Sequence, residues 1–522
     1  MRKRQDLKVV FKTYNQGQPM LLPPSLDELI PTNHPVRVVN KVIEQLNIQP
    51  LLNKYKAGGT SSFHPCMLLK VLVYAYINNI YSSRKIEQAL QQNIHFMWLS
   101  AMNTPDHNTI NRFRSERLQD ALQDIFSQVV ELLVAEGLLN IKELYIDGTK
   151  IEANANRYTF VWGKAIATSK ERIRKQLTDL WQYAQKLAAQ EAEHTGGDDD
   201  DDPSGNCFDS IDAEKVEQTV HNINELLKDK AVDAKVSQKL KYAQKHWPAN
   251  LRKYEQQQKI MGEQRSSYSK TDPDATFMRL KEDHMRNGQL KPAYNVQIST
   301  NNQFIAAYSL HQKTTDTNTL ITHLQAHEDI YKQTPEIVVA DAGYGSEENY
   351  QAMEQKGITA YVKHNQFDRR QSKNIQNKHP FTTDKLHYNK EKDCYYCPMG
   401  QQMQRCGTKS RRTVSGFTQK LSLYKAKNCT GCPLRGVCHQ GKESRIIEVN
   451  HSLNLLKAQA DQRLKSEEGI RHRKKRCWDV EAVFGNIKNN HQFRRFMLRG
   501  KNKVSIEIGL LALAHNLRKK AA

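Results

Sequence analysis

Two short apolar runs end in the same way. Leu144-Tyr145-Ile146 closes on Asp147-Gly148, and Ile337-Val338-Val339-Ala340 closes on Asp341-Ala342-Gly343. An apolar run bounded by a glycine turn reads as a strand, and one apolar at consecutive positions as a strand buried on both faces. The two strands lie far apart in the chain, so they can share a sheet only if most of the intervening chain folds away from it. An aspartate at the carboxyl end of a buried strand stands at the sheet rim, where ligands approach. Taken singly, an Asp before Gly is equally a turn-former; two in the right order favour a site.

Further strands fit between and after them. Ala293 to Ser299 and Phe304 to Leu310, separated by Asn301-Asn302, read as a hairpin, and Ile358 to Val362 as one more strand. Residues 317–332 carry Leu320, Leu324 and Ile330 at helical spacing. The expected fold is α/β: a ribonuclease-H-like core, a mixed sheet flanked by helices, with an all-α N-terminal domain, a helical insertion and a small zinc-binding insertion. The boundaries are 1–135 for the N-terminal DNA-binding or dimerisation domain and 136–162 for the first core strand. Residues 163–268 form a charged insertion, 269–365 continue the core, 366–455 hold the cysteines, and 456–522 supply the last core helices. The charged insertion reads as two long solvated helices joined by an acidic loop at Asp198 to Asp202, near Pro203 and Gly205.

A third acid is expected on a helix beside the strands. In Arg476 to Lys488, the residues Val480, Val483, Phe484 and Ile487 form an apolar stripe with Glu481 at its edge. Lys474 and Lys488, seven residues to either side of Glu481, share its face. Such a helix is either a surface ion-pair ladder or an acid set among phosphate-binding cations. Three carboxylates suit phosphodiester chemistry, because two Mg²⁺ ions roughly 3.5–4 Å apart can stabilise both attacking and leaving oxygens. Hard divalent ions take oxygen ligands. Asp147 would bridge the ions, with Asp341 and Glu481 each holding one, and Mn²⁺ could replace Mg²⁺.

Six of the nine cysteines fall between Cys394 and Cys438. Cys394-x-x-Cys397 and Cys429-x-x-Cys432 are paired knuckles of the kind that hold structural zinc, with Cys438 as an alternative ligand and Cys406 and His439 competing. The module also carries Lys409, Arg411, Arg412 and Arg435.

A formal net charge of +22 points to a polyanionic partner, nucleic acid foremost. In the N-terminal region Arg84, Lys85, Arg112 and Arg114 lie near helix starts, suiting either a helix-turn-helix reader or a bundle used for dimerisation. No run approaches the roughly eighteen apolar residues of a membrane span. The basic start Met1 to Asp6 leads into no apolar stretch, so a cytosolic protein is expected.

Several stretches carry a resemblance. They are Ser61-Ser62-Phe63-His64-Pro65, Pro105-Asp106-His107-Asn108-Thr109-Ile110, Ile146-Asp147-Gly148-Thr149-Lys150, Asp272-Pro273-Asp274-Ala275 and Tyr294-Asn295-Val296-Gln297. Ala340-Asp341-Ala342-Gly343-Tyr344, Val480-Glu481 with Phe484-Gly485 and Lys488, and the cysteine segment complete the set. Together they resemble bacterial insertion-sequence transposases of the DDE class, most of all the eleven-eighty-two group. The resemblance implies Mg²⁺-dependent cleavage at the ends of a mobile element and attack of the freed 3′-OH on target DNA. It implies duplex DNA with terminal inverted repeats as substrate, a homodimer on DNA, and a bacterial, nucleoid-associated setting. Related enzymes often place Tyr and Arg seven and four residues before the catalytic Glu; here Lys474 and Cys477 stand there, with Arg476 one residue off. An inactive zinc-containing DNA-binding regulator and a ribonuclease-H-like nuclease without strand transfer are the other readings.

Overall fold

The computed structural model describes residues 25–55, 62–195, 210–228, 230–263, 265–280, 288–371 and 380–522. Met1 to Asp6, Ser61, the acidic run Asp198 to Asp202, Pro203 and Gly205 lie outside them.

The N-terminal helices open in a repeated way. His34 and His64 are extended, and each ring Nδ1 accepts the N–H two residues on at 3.2 Å, around Pro35 and Pro65. Proline in a first helical turn sacrifices no helical hydrogen bond, and a side-chain acceptor satisfies the next orphan N–H. The helix Pro65–Ile77 is buried along its whole length from Leu68 and packs on the helix Lys501–Ala521. Early and late segments therefore share one core.

The central sheet has six strands. β1 (Glu143–Glu152) lies in its middle; β2 (Phe160–Trp162) and β3 (Ser267–Ser269) form a separate ribbon at the ends of the helical insertion. β4 (Thr276–Arg279), β5 (Leu290–Asn301), β6 (Phe304–His311), β7 (Ile337–Ala340) and β8 (Thr359–Val362) complete it. The order is β4-β5-β1-β7-β8, with β6 also on β5. β5 is antiparallel to β1, β4 and β6, whereas β1, β7 and β8 are parallel. The β5–β6 hairpin turns through Asn302 and Gln303, both at positive φ. Parallel neighbours require crossovers, and the helix Glu347–Gln355 makes one between β7 and β8. The result is a mixed α/β architecture, and no helix among the described residues is long and apolar enough to cross a membrane.

Two expectations need correction. Asp147 does not end its strand: β1 continues to Glu152, because β5 supplies an antiparallel partner as far as Ala293. What stops beside Asp147 is the parallel ladder with β7, whose last pair is Ile146 with Ala340. Gly148 thus stays extended instead of turning. The charged insertion has three described helices rather than two, Gly163–Thr195, Ala213–Leu226 and Ala234–Met261. They bury their own core, including Leu177, Val216, Val220, Ile223, Trp247 and Leu251, which surrounding charge hid from a reading by composition.

The cysteine-rich segment forms a second sheet. Its strands are β9 (Tyr388–Asn389), β10 (Cys394–Tyr396), β11 (Gln402–Arg412), β12 (Thr418–Ala426) and β13 (Ile446–Val449), arranged β13-β12-β11-β10-β9. Met403, Tyr424, Ile447 and Val449 give it a small core.

Candidate active site

Glu481 stands on the helix Glu467–Gly485, which packs on β1 and β5 through buried Val480, Val483 and Phe484. Its side chain is half exposed and shares one cleft with Asp147, Lys150, Asp316, Lys488 and Arg494. Lys488 lies in the π-helical turn Asn486–Asn490 that continues the helix, and it is buried against the cleft. Lys474, one face-repeat earlier, is exposed and not among the residues lining the cleft.

Arg476 connects two of the acids. Its Nη1 lies 2.7 Å from Glu481 Oε1 and its Nη2 3.4 Å from Asp147 Oδ1, while its Nε is buried without a hydrogen-bond partner. Its guanidinium is therefore turned toward the two carboxylates. Burial pushes Asp147 up to about 6; Arg476 opposes the shift, and Asp341 and Asp316 add to it. Asp341 follows β7 directly and accepts the Gly343 N–H at 2.8 Å, capping the short turn Ala342–Tyr344. It does not line the cleft, yet it acts on Asp147. Burial also raises the Tyr344 phenol well above its usual value, with Asp316, Asp147 and Asp341 adding to the effect. Among the described residues, no three His, Cys, Asp or Glu side chains gather closely enough to form a metal-binding group.

Asp316 lies just before residues 317–332, whose helical spacing carries no cue to it. Its Oδ1 accepts from Asn295 Nδ2 at 2.7 Å and Gln297 Nε2 at 3.1 Å, and both amides are fully buried. A polar pair at alternate positions of an otherwise apolar strand was the available signal.

Other matched motifs hold the fold. Asp272, fully buried, accepts the Tyr294 hydroxyl at 2.9 Å and the Gly500 N–H at 3.2 Å, and Asp274 accepts the Lys501 N–H at 2.8 Å. They tie β5 to the start of the last helix.

Of the N-terminal cations, Arg84, Lys85 and Arg112 are exposed. Arg114 is not a surface residue: it is 3% exposed and donates to the Tyr81 carbonyl at 2.6 Å and Asn111 Oδ1 at 3.2 Å. It also offsets the buried Glu507 carboxylate, whose pKa burial raises and Arg114 lowers. The helical periodicity that put it near a helix start gave no sign that Phe113, Arg114 and Ser115 enter the core in a π-turn. Arg114→Ala is expected to cost about 2–5 kcal/mol, since it leaves buried acceptors and a buried carboxylate uncompensated. Thermal denaturation checks this: Arg84→Ala, Lys85→Ala and Arg112→Ala should melt like wild type, and an equally unshifted Arg114→Ala would refute the buried role.

The cysteines divide differently from the knuckle spacing. Cys397, Cys429, Cys432 and Cys438 line one small cavity with His439. Cys394 is not among the residues lining that cavity; it is 3% exposed within β10, on the strand face opposite Tyr395 of the module core. Arg445 Nη1 lies 2.9 Å from Cys438 Sγ, and the Arg445 N–H donates to Cys429 Sγ at 3.4 Å.

Among known protein families, residues 24–116 match the Transposase domain (DUF772), and residues 396–521 match the Transposase DDE domain. No curated protein and no solved structure matches the chain. Transposase models thus match on either side of the central sheet, the second of them spanning Glu481, and each covers less than half of the chain.

Proposed function

We propose that the chain cleaves DNA at the ends of a mobile element and joins the freed 3′-OH to target DNA, as a transposase resembling the eleven-eighty-two group with a ribonuclease-H-like core. The observation that carries this reading is the cleft in which Asp147 on β1 and Glu481 on its packed helix are bridged by one cation, Arg476, with Asp341 acting on Asp147 from the end of β7. The strand order, antiparallel β5 and β6 beside parallel β1, β7 and β8, supports the proposed core.

The donor chemistry is that of hard divalent ions, carboxylate oxygens that already draw in a guanidinium, although among the described residues they are not gathered as a group of three. Asp147, Asp341 and Glu481 would hold Mg²⁺, which supplies Lewis-acid stabilisation of the attacking and leaving oxygens when bound. Asp147 must shed its proton to serve, and burial makes that harder. Lys150, Lys488 and Arg494 on the cleft wall would attract and orient phosphates of the duplex. Exposed Arg84, Lys85, Arg112 and Lys474 would add backbone contacts, on a homodimer that holds both ends in the cytosol.

The test uses duplexes carrying the inverted repeats that flank the gene. Purified chain with Mg²⁺ or Mn²⁺ should nick them at the repeat boundary, and pre-cleaved ends should be joined into plasmid. Cleavage without joined product would favour a nuclease, and specific binding without cleavage a regulator.

For the cysteine module we propose structural zinc held by Cys397, Cys429, Cys432 and Cys438 in place of Cys394. Arg445 places hydrogen-bond donors against two of these sulfurs, Cys438 and Cys429. Metal analysis of purified protein should find about one zinc per chain. Cys432→Ser should lose it and Cys394→Ser should retain it; the opposite pattern returns Cys394 to the ligand set.

A further inference from the structure

Gly148 leaves room for Gln297 and Asp316, and Gly343 lies within ordinary contact distance of Asp316. A β carbon added at Gly148 would lie 2.8 Å from Asp316 Oδ1, and one added at Gly343 would lie 3.9 Å from Asp316 Cβ. Gly148 follows Asp147 and Gly343 follows Asp341 by two residues, so Asp316 occupies the space between the two aspartate segments. The loop bearing it is docked there: Thr317 Oγ1 donates to the Gly343 carbonyl at 2.7 Å, and Asn349 Nδ2 donates to the Thr317 carbonyl at 2.8 Å.

The carboxylate itself plays no part in forming its own turn. In the short helical turn Asp316–Asn318, only the backbone carbonyl of Asp316 is used, accepting from the Thr319 N–H and hydroxyl. An aspartate that merely started a turn would spend its side chain on a nearby N–H. Instead Oδ1 is fixed by Asn295 and Gln297, and Gln297 is itself held through Asn295 Oδ1 at 2.9 Å and the Tyr344 hydroxyl. Oδ2 has no hydrogen-bond partner among the described residues, and Asp316 lines the same cleft as Asp147 and Glu481. Two buried amides orient one oxygen, and the other is left toward the cleft. That is the arrangement of a ligand positioned by its surroundings.

We infer that Asp316 is a further metal-holding carboxylate beside Asp147 and Glu481, with the Tyr294-Asn295-Val296-Gln297 strand as its support and Gly148 as the gap that admits Asp316 and Gln297. This rests on the proposed metal-dependent reading of the cleft. It gives Asn295 and Gln297 a purpose in the site rather than in the core, where uncompensated amides would be costly.

The experiment is Mn²⁺ binding by full-length protein without DNA, followed by calorimetry or by the electron paramagnetic resonance of free Mn²⁺. Asp316→Asn keeps an oxygen acceptor for Asn295 and Gln297, so it should melt like wild type. Its Mn²⁺ affinity should fall about 10-fold or more. Asp329→Asn, on an exposed stretch of the helix Leu320–Tyr331, should bind as wild type does. If Asp316→Asn fails to fold, Asp316→Glu carries the same expectation. Unchanged affinity in Asp316→Asn alongside weakened binding in Asp147→Asn overturns the inference and leaves the metal reading standing. Unchanged affinity in both overturns the metal reading and the inference with it.

Discussion

Replacing Asp147 with asparagine is expected to lower DNA cleavage by on the order of 10³-fold, because metal-borne charge stabilisation contributes several kcal/mol to such a transition state. Asparagine keeps the shape of the side chain and removes its charge, so Arg476 would remain with Glu481 alone. The fold should survive, and the variant should gain stability relative to wild type in a defined pH window. Burial raises the folded pKa of Asp147 to about 6, above its ordinary value of 3.8. A raised carboxyl pKa means that the folded state holds the proton more tightly than the unfolded one. The stability from that proton is fully present below about pH 4 and is lost as pH rises through about 6. Asparagine carries no such dependence. The advantage of Asp147→Asn over wild type should therefore grow from about pH 4 to pH 6 and level off, reaching at most about 3 kcal/mol. Melting curves in chelator across that range check the sign, and cleavage assays check the loss. Cleavage equal to wild type would end the assignment of Asp147 to the chemistry.

Gly148→Ala is expected to damage the cleft more than the fold. The added methyl would meet Gln297 Nε2, Gln297 Cδ at 2.9 Å and Asp316 Oδ1 at 2.8 Å. Gln297 is fully buried and held at both ends of its amide, so it has little room to withdraw. Overpacking of this kind costs about 1–3 kcal/mol. The displaced strand carries Asp147, and a shift near 1 Å at a reacting group lowers rates by about 10²-fold. A modest fall in melting temperature with a large fall in cleavage is the expected pair. Native melting with native cleavage would show that the site relaxes around the methyl.

The strands and helices were largely legible because their periodicities are local. The hairpin Ala293 to Leu310 and the stripe Val480, Val483, Phe484, Ile487 stand in the structure close to where spacing puts them. The extent of β1 was not, since its continuation past Asp147 depends on β5, a partner far along the chain. Asp316 was hidden for the same reason: nothing in a threonine-rich turn announces that two buried amides from another strand will hold it. Arg114 looked like a surface cation because charge patterns carry no information about a π-turn that directs one arginine inward. Cys394 obeyed the knuckle spacing, but strand pairing decided its direction.

The packing of Glu481's helix against β1 and β5 also has a consequence in time. Synthesis runs from the amino end at about 5–20 residues per second, so tens of seconds pass between the emergence of Asp147 and that of Glu481. During that interval the nascent chain holds its aspartates without their helical partner, and the helix Lys501–Ala521, which closes over Pro65–Ile77, comes later still. Such long-range closure is slow and cooperative. A ribosome-bound or truncated chain that lacks the last two helices should be unable to cut DNA, so nicking would await the finished polypeptide.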